Sequence, residues 1–233
     1  MTNKVSARLI GALFLAGFIF YGVGFSLVNS VISAPDFLST ISARQTTLVI
    51  GAFLMLLNTG VDIGKGVLFF PILEKHGKRT ALAYLSALTV QVVLLDIGVL
   101  FLLMLVPLGQ YAVDVAGASA SLATILASLL TEANTMAYHI GQATLSGGGI
   151  FLCVLLYRAG LLPRFLSAWG VIGYVIHLAG SVAEIFGIPI SLVLLIPGGL
   201  FEVARGLWLL IKGFQPAAFV LGGEERVAVM GAA

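Results

Sequence analysis

Four charged side chains stand inside long apolar runs of this chain, where an ion is costly unless it is paired or hydrated. Asp62 and Lys65 are spaced i, i+3, and so are Glu202 and Arg205. On a helix each pair shares one face, where its charges neutralise each other. If the two helices touch, the four form one network. That network reads as an anion or cation site, as a proton-coupled gate, or as self-paired charges that fix helix packing while Lys65 and Arg205 reach toward the nearer surface. A second group comprises Asp96, His139, Gln142, His177 and Glu184, with Glu132 near His139. His177 and Glu184 are seven residues apart, as are Glu132 and His139, and two helical turns return a residue to the same face. Two imidazoles and up to three carboxylates make a donor set for zinc or a similar ion. Bis-histidine ligation is a haem arrangement, and the same groups can relay protons. No His-Glu-x-x-His or other tight ligand spacing accompanies them, so hydrogen-bonded contacts between packed helices remain open as their role. Ser146, Ser167 and Ser181 have no Gly-x-Ser-x-Gly context, which removes the serine-hydrolase elbow. Gly147-Gly148-Gly149 is followed by no Lys-Ser/Thr pair, so it is not a phosphate loop. It reads as a close helix contact or a weak point in a helix.

The elements that must position these residues follow from composition. Hydrophobic residues make up 60% of the chain and charged residues 9%, and the mean hydropathy is +1.12. A soluble domain carries about 25% charged residues, so most of this surface must face lipid. At about 20 residues per crossing, the apolar runs predict spans over about 9–31, 46–73, 81–106, 136–157, 165–185 and 190–211. A polar loop with a short interfacial helix is expected over 33–44. Pro107-Leu108-Gly109 is expected to close the third span, with a loop over 110–121. Residues 119–130 are apolar but short, Thr131-Glu132-Ala133-Asn134-Thr135 interrupts the run, and 119–133 is read as an interfacial or re-entrant helix, the alternative being one very long helix. Pro197-Gly198-Gly199 predicts a kink in the sixth span. The tail over 215–233 reads as mobile. Lys4 and Arg8 ahead of an apolar run resemble a secretory leader, but the run has transmembrane length and no cleavage pattern precedes Ala34, so a retained first span is expected. The single Cys153 excludes an intramolecular disulfide and a cysteine-rich metal site. A net charge of +2 with scattered basic residues is no nucleic-acid signal.

Of the 12 Lys and Arg residues, Lys4, Arg8, Lys75, Lys78, Arg79, Arg158, Arg164, Lys212 and Arg226 fall on one side of a six-span plan. Arg44 alone falls on the other, and Lys65 and Arg205 lie within spans. Such an asymmetry places both termini in the cytoplasm. The hairpin between spans four and five reads Leu-Leu-Tyr-Arg-Ala-Gly-Leu-Leu-Pro-Arg and then Phe-Leu-Ser-Ala-Trp-Gly-Val-Ile-Gly-Tyr over residues 155–174. Two arginines and two aromatics hold it at an interface.

That hairpin resembles the bacterial membrane proteins grouped as domain of unknown function 4386. Gly-Gly-Leu-Phe-Glu followed by Leu-Trp-Leu-Leu-Ile-Lys-Gly, over residues 198–213, resembles that family's last span. Ala159 stands where the family commonly has serine, and Asp62 with Lys65 is not a family feature. The resemblance implies a multi-pass bacterial membrane protein over roughly residues 6–214 and brings no activity, cofactor or catalytic residue with it. The fold class expected is all-α: a polytopic bundle of about six transmembrane helices in the bacterial inner membrane. Three function classes stay open. An accessory, sensor or structural membrane subunit comes first. A small carrier or channel would use Asp62, Lys65, Glu202 and Arg205. An intramembrane metal- or haem-dependent enzyme would use His139 and His177 with Asp96 and Glu184. The partner expected is the lipid bilayer, not nucleic acid, with a homo-oligomer or a membrane partner approached through Gly-rich helix faces. No cofactor or small-molecule ligand is identified.

Overall fold

A computed structural model describes residues 3–34, 37–114 and 118–215. The described chain forms six helices: α1 (Asn3–Ile32), α2 (Phe37–Ala43), α3 (Gln45–Asp114), α4 (Ala118–Ala159), α5 (Arg164–Ile185) and α6 (Ser191–Ile211). All but α2 are long and apolar enough to cross a membrane. The all-α polytopic architecture is therefore present, and α2 is the short helix expected in the first loop.

Run straight, the 70 residues of α3 would reach about 105 Å at 1.5 Å per residue, over three times a hydrocarbon core of about 30 Å. The helix instead folds back at Gly77, whose φ of 175° and ψ of 83° leave helical space. The turn falls in Glu74–Arg79, where five polar side chains on either side of Gly77 must reach water. The two arms pair antiparallel. Gly66 faces Leu85 and Leu88, the Phe69 ring meets Tyr84 edge-on at 6.5 Å, and Gln110 Nε2 donates to Gln45 Oε1 over 2.9 Å. These contacts lie at matching distances on either side of Gly77. The arms correspond to the spans expected over 46–73 and 81–106, but the second does not stop at Pro107. It continues to Asp114 with Pro107 inside, because Gly109 packs on Ile41 and Leu38 of α2 and the Gln110–Gln45 bond holds the end. Tertiary contacts here outweigh the breakers.

Residues 119–133 are not a separate interfacial or re-entrant helix. They are the first part of the continuous, 42-residue α4, as the alternative reading had it. The Thr131–Thr135 interruption contains no Gly or Pro, and both threonine hydroxyls donate to the carbonyls one turn back, which lets a polar residue sit in a helix without breaking it. The loop expected over 110–121 is correspondingly shorter. Pro197 likewise lies within α6, which runs on through it.

Each helix packs on its neighbours in the chain, and α6 returns to α1, so the bundle closes as a ring. Gly77 lies against Leu155, Gly213 against Ala7, and the Gln215 amide donates to the Leu161 carbonyl at 3.0 Å. The Gly77 turn, the α4–α5 hairpin, the start of α1 and the end of α6 therefore share one end of the molecule. Lys4, Arg8, Lys75, Lys78, Arg79, Arg158, Arg164 and Lys212 all stand there, while Arg44 follows α2 at the other. Arg226 and the tail beyond Gln215 lie outside the described residues. In the α4–α5 hairpin Gly160 takes a φ of +62°, a left-handed conformation that favours glycine. It lets Leu161 N–H reach back to the Leu156 carbonyl, closing α4 before Pro163 opens α5. The helices differ in reach. At 22 and 21 residues, α5 and α6 are about 32 Å long, against about 63 Å for α4. The first half of α4 accordingly pairs with the second arm of α3, Gly98 meeting Asn134 and Ala137.

Candidate functional site

The charged residues of α6 meet near the middle of the bundle. Arg205 follows Glu202 by three residues and its Nη2 lies 3.5 Å from Glu202 Oε1. Tyr174, near the centre of α5, donates its hydroxyl proton to Glu202 and accepts from Arg205 Nη2 at 3.3 Å. The guanidinium is stacked between two rings, with Cζ 3.9 Å from the centroid of Phe14 on α1 and 4.9 Å from that of Phe201. Phe201 precedes Arg205 by one helical turn, so this half of the clamp is set by α6 itself. Arg205 is wholly buried, and its Nε and Nη1 have no hydrogen-bond partner. The ring faces supply part of what those donors lack. Glu202 keeps 19% of its side chain exposed.

The second pair sits on the first arm of α3. Lys65 Nζ is 2.5 Å from Asp62 Oδ1, and Asn58, one turn earlier, donates to Asp62 Oδ2 at 3.4 Å. All three are buried. Gly17 of α1 makes room for them: a Cβ there would lie 2.9 Å from Asn58 Oδ1 and 3.8 Å from Lys65 Nζ. Lys65 Nζ also stands 4.5 Å from the centroid of Phe14. The two ion pairs expected to form one network therefore share a neighbour without bonding to each other. The Phe14 ring lies between the two cations, because α1 stands between α3 and α6 in the ring of helices.

The outer residues are distributed differently. His139 and Gln142 on α4 are joined by His177 and Glu184 on α5, the helix packed against it. Gly149 receives the Tyr174 ring and Gly170 faces Cys153 and Phe201, which fixes the antiparallel register of the pair. His139 lies within electrostatic range of Glu184 and Glu132, and His177 within range of Glu202 and His139. No break near Asn134 interrupts α4, so Glu132 and His139 share a face. Asp96 is half-buried on the second arm of α3, with Oδ1 unpaired. Glu184 is engaged across the α5–α6 turn, its Oε1 accepting from the Ser191 amide at 3.0 Å. A carboxylate at a helix N-terminus satisfies an otherwise orphaned donor. Gly187, with φ at +78°, shapes that turn. Among the described residues, no three of His, Cys, Asp and Glu come together as a set that could hold a metal ion. His139, Gln142, His177 and Glu184 thus stand on the paired helices α4 and α5, while Asp96 stands apart on α3.

Sequence reasoning missed Phe14, Phe201 and Tyr174 as partners of the charges. The spacing Tyr174, His177, Ser181, Glu184 does trace one stripe of α5, which was a usable signal. Phe14 had none, because its role depends on α1 crossing between α3 and α6.

With the geometry in place, comparison with known proteins identifies the family. The family described as Domain of unknown function (DUF4386) matches residues 9–213, and the chain belongs to it. Neither a curated protein nor a solved structure matches the chain.

Proposed function

We propose that this member of the DUF4386 family is an integral membrane subunit of the accessory or sensor kind, whose buried charges set how its helices pack. The observation that carries this reading is Arg205. It is wholly buried, stacked on Phe14 of α1, bonded to Tyr174 of α5 and paired with Glu202 of α6. One side chain thereby links α1, at the start of the described chain, to α5 and α6 at its end. A pair that binds and releases an ion needs an open route to that ion. The Arg205 cation is instead enclosed by two aromatic rings and its own ion pair, while Glu202 keeps 19% of its side chain exposed.

In this reading α3 contributes two crossings, which makes six with α1, α4, α5 and α6. Both termini lie on the basic side, the cytoplasmic side of a bacterial inner membrane. Tyr174 lies about halfway along α5, which puts the charge centre near mid-bilayer. A homo-oligomer or membrane partner would approach at Gly22 and Gly60, exposed glycines whose added Cβ would meet nothing within 4 Å. Reporter fusions at Gln215 and in the α1–α2 loop test the sidedness, and opposite signals are expected.

The carrier or channel reading makes a different prediction, which reconstitution decides. Liposomes holding the purified protein are loaded with a pH-sensitive or potential-sensitive dye and exposed to gradients of H⁺, Na⁺, K⁺ and Cl⁻. The accessory reading expects the leak of protein-free liposomes. A flux that Glu202→Gln or Asp62→Asn abolishes would overturn it in favour of a carrier or channel.

A further inference from the structure

We propose that the α4–α5 interface is a hydrated proton path, entered beside the α5–α6 turn at Glu184 and His139 and ending at His177 and Glu202. The inference rests on the sensor reading above and names the proton as what reaches the charge centre.

Register supplies the geometry. From the Gly149–Tyr174 contact, steps of three or four residues keep to one face of each helix. On α4 they lead through Ser146 and Gln142 to His139. On α5 they lead through His177 and Ser181 to Glu184. Because the helices are antiparallel, Ser146 comes level with His177, Gln142 with Ser181 and His139 with Glu184. Each step is polar on both sides, in a chain with 9% charged residues. The last pair is within electrostatic range, as are His177 and Glu202.

The state of the hydroxyls points to water. Elsewhere in the bundle Thr89 of α3 and Thr124, Ser128, Thr131 and Thr144 of α4 each donate to a carbonyl one turn back. Ser146 and Ser181 do not. Their Oγ atoms and His139 Nδ1 are buried without a protein partner. Exposure is 0% for Ser146, 1% for Ser181, 6% for His139 and 7% for His177. Buried polar atoms are almost always hydrogen-bonded, to ordered water where protein offers nothing. Unpaired groups about one turn apart, roughly 5–6 Å, are at the spacing that single waters bridge.

The path ends at the charge centre. Past Tyr174 the interface becomes Cys153, Gly170, Phe201, Leu152 and Leu156, buried and apolar apart from the isolated Ser167. The groups facing His177 are Tyr174, Ser181 and Glu184 on its own helix. From α4 they are Ser146, level with it, and His139 within electrostatic range, and from α6 Glu202 with Arg205 behind it. Hydronium at the entry gives its proton to Glu184 or His139, water hands it on, and an imidazole nitrogen of His177 accepts it. The sum is one proton bound and one water released. Among the described residues the α4–α5 interface continues toward the basic end with Ser167 as its one buried polar side chain, so the proton leaves as it came, which suits a sensor and not a pump.

Cysteine accessibility tests the path, with native Cys153, buried and free, as internal control. Ser146→Cys and Ser181→Cys should react with a small water-soluble methanethiosulfonate at least about tenfold faster than Cys153, because thiol reactivity follows water access. Adding Ser181→Val to Ser146→Cys should return the rate to that of Cys153. Ser146→Cys no faster than Cys153, or unaffected by Ser181→Val, would overturn the path. Radiolytic labelling of the unmodified protein, which marks side chains beside bound water, needs no substitution. His139 and His177 should be labelled and Phe69 spared, and equal protection of all three would also overturn it. Reactive cysteines together with a steady proton flux in liposomes would keep the path and remove the sensor reading. Unreactive cysteines with silent liposomes would remove the path alone.

Discussion

Replacing Arg205 by Met tests whether the charge centre joins the helices. The substitution keeps an unbranched apolar stem and deletes the guanidinium. It removes the stacking on Phe14 and Phe201, the 3.5 Å contact to Glu202 and the 3.3 Å bond to Tyr174. Glu202 is left without its cation. Breaking a buried pair from one side costs about 3–5 kcal/mol, mostly the penalty of the uncompensated charge. The lower end applies, since Glu202 retains 19% exposure and the Tyr174 hydroxyl. About 3 kcal/mol corresponds to a fall in Tm of roughly 6–12 °C for a chain of this size. Glu202→Gln should cost more, because it strands a guanidinium that is wholly buried. The double variant Glu202→Gln/Arg205→Met should recover most of the loss, since neutralising both partners of a buried pair is often nearly neutral. Melts in mild detergent, followed by the fluorescence of Trp169 and Trp208, give all four values of the cycle. An unchanged Tm for Arg205→Met, or a double variant whose loss is the sum of the singles, would refute the reasoning.

Phe14→Leu removes the ring shared by Lys65 and Arg205 and should cost about 1–3 kcal/mol, with Arg205→Met adding less to it than to wild type, read in the same melts. Gly24→Ala and Gly51→Ala each drive a Cβ to within 2.7 and 2.8 Å of the other glycine's carbonyl oxygen and should lower Tm, whereas Gly60→Ala meets nothing within 4 Å and should gain up to about 1 kcal/mol from helix propensity. Glu184→Ala removes the acceptor for the Ser191 amide, so it should lower Tm and speed hydrogen exchange at the start of α6.

Much of the fold was legible because lipid leaves little choice: an apolar run of sufficient length must become a helix. Glu74–Arg79 announced the α3 turn as five polar side chains around Gly77 that must reach water. What misled was punctuation. Pro107-Leu108-Gly109 reads as a stop, yet α3 runs on to Asp114 because α2 covers it, and nothing local to 107–109 records that cover. Residues 119–133 read as a separate piece because a short apolar run is interrupted by polar Thr131–Thr135, whereas α4 is supported over that stretch by α3. At the site, the i, i+3 pairs were visible in the sequence and are salt bridges in the structure. Their joining through Phe14 was not, since it depends on which helix stands between α3 and α6.

The buried pairs pose a question that stability alone does not answer. Hydrophobic residues of similar size commonly match or exceed a buried ion pair in stability, so packing strength is a weak reason to keep Glu202 and Arg205 at mid-bondle depth in place of two leucines. A charge there is useful if its surroundings respond to it. Tyr174 connects the two requirements. It bonds to both members of the α6 pair, and it begins the α5 stripe that continues through His177 and Ser181 to Glu184. A proton arriving at His177 stands next to Glu202, competes with Arg205 for it, and so acts on the contact that ties α1 and α5 to α6. On this reasoning the double variant Glu202→Gln/Arg205→Met should fold well and yet lose any dependence of helix packing on pH. That separates a centre kept for response from one kept for strength.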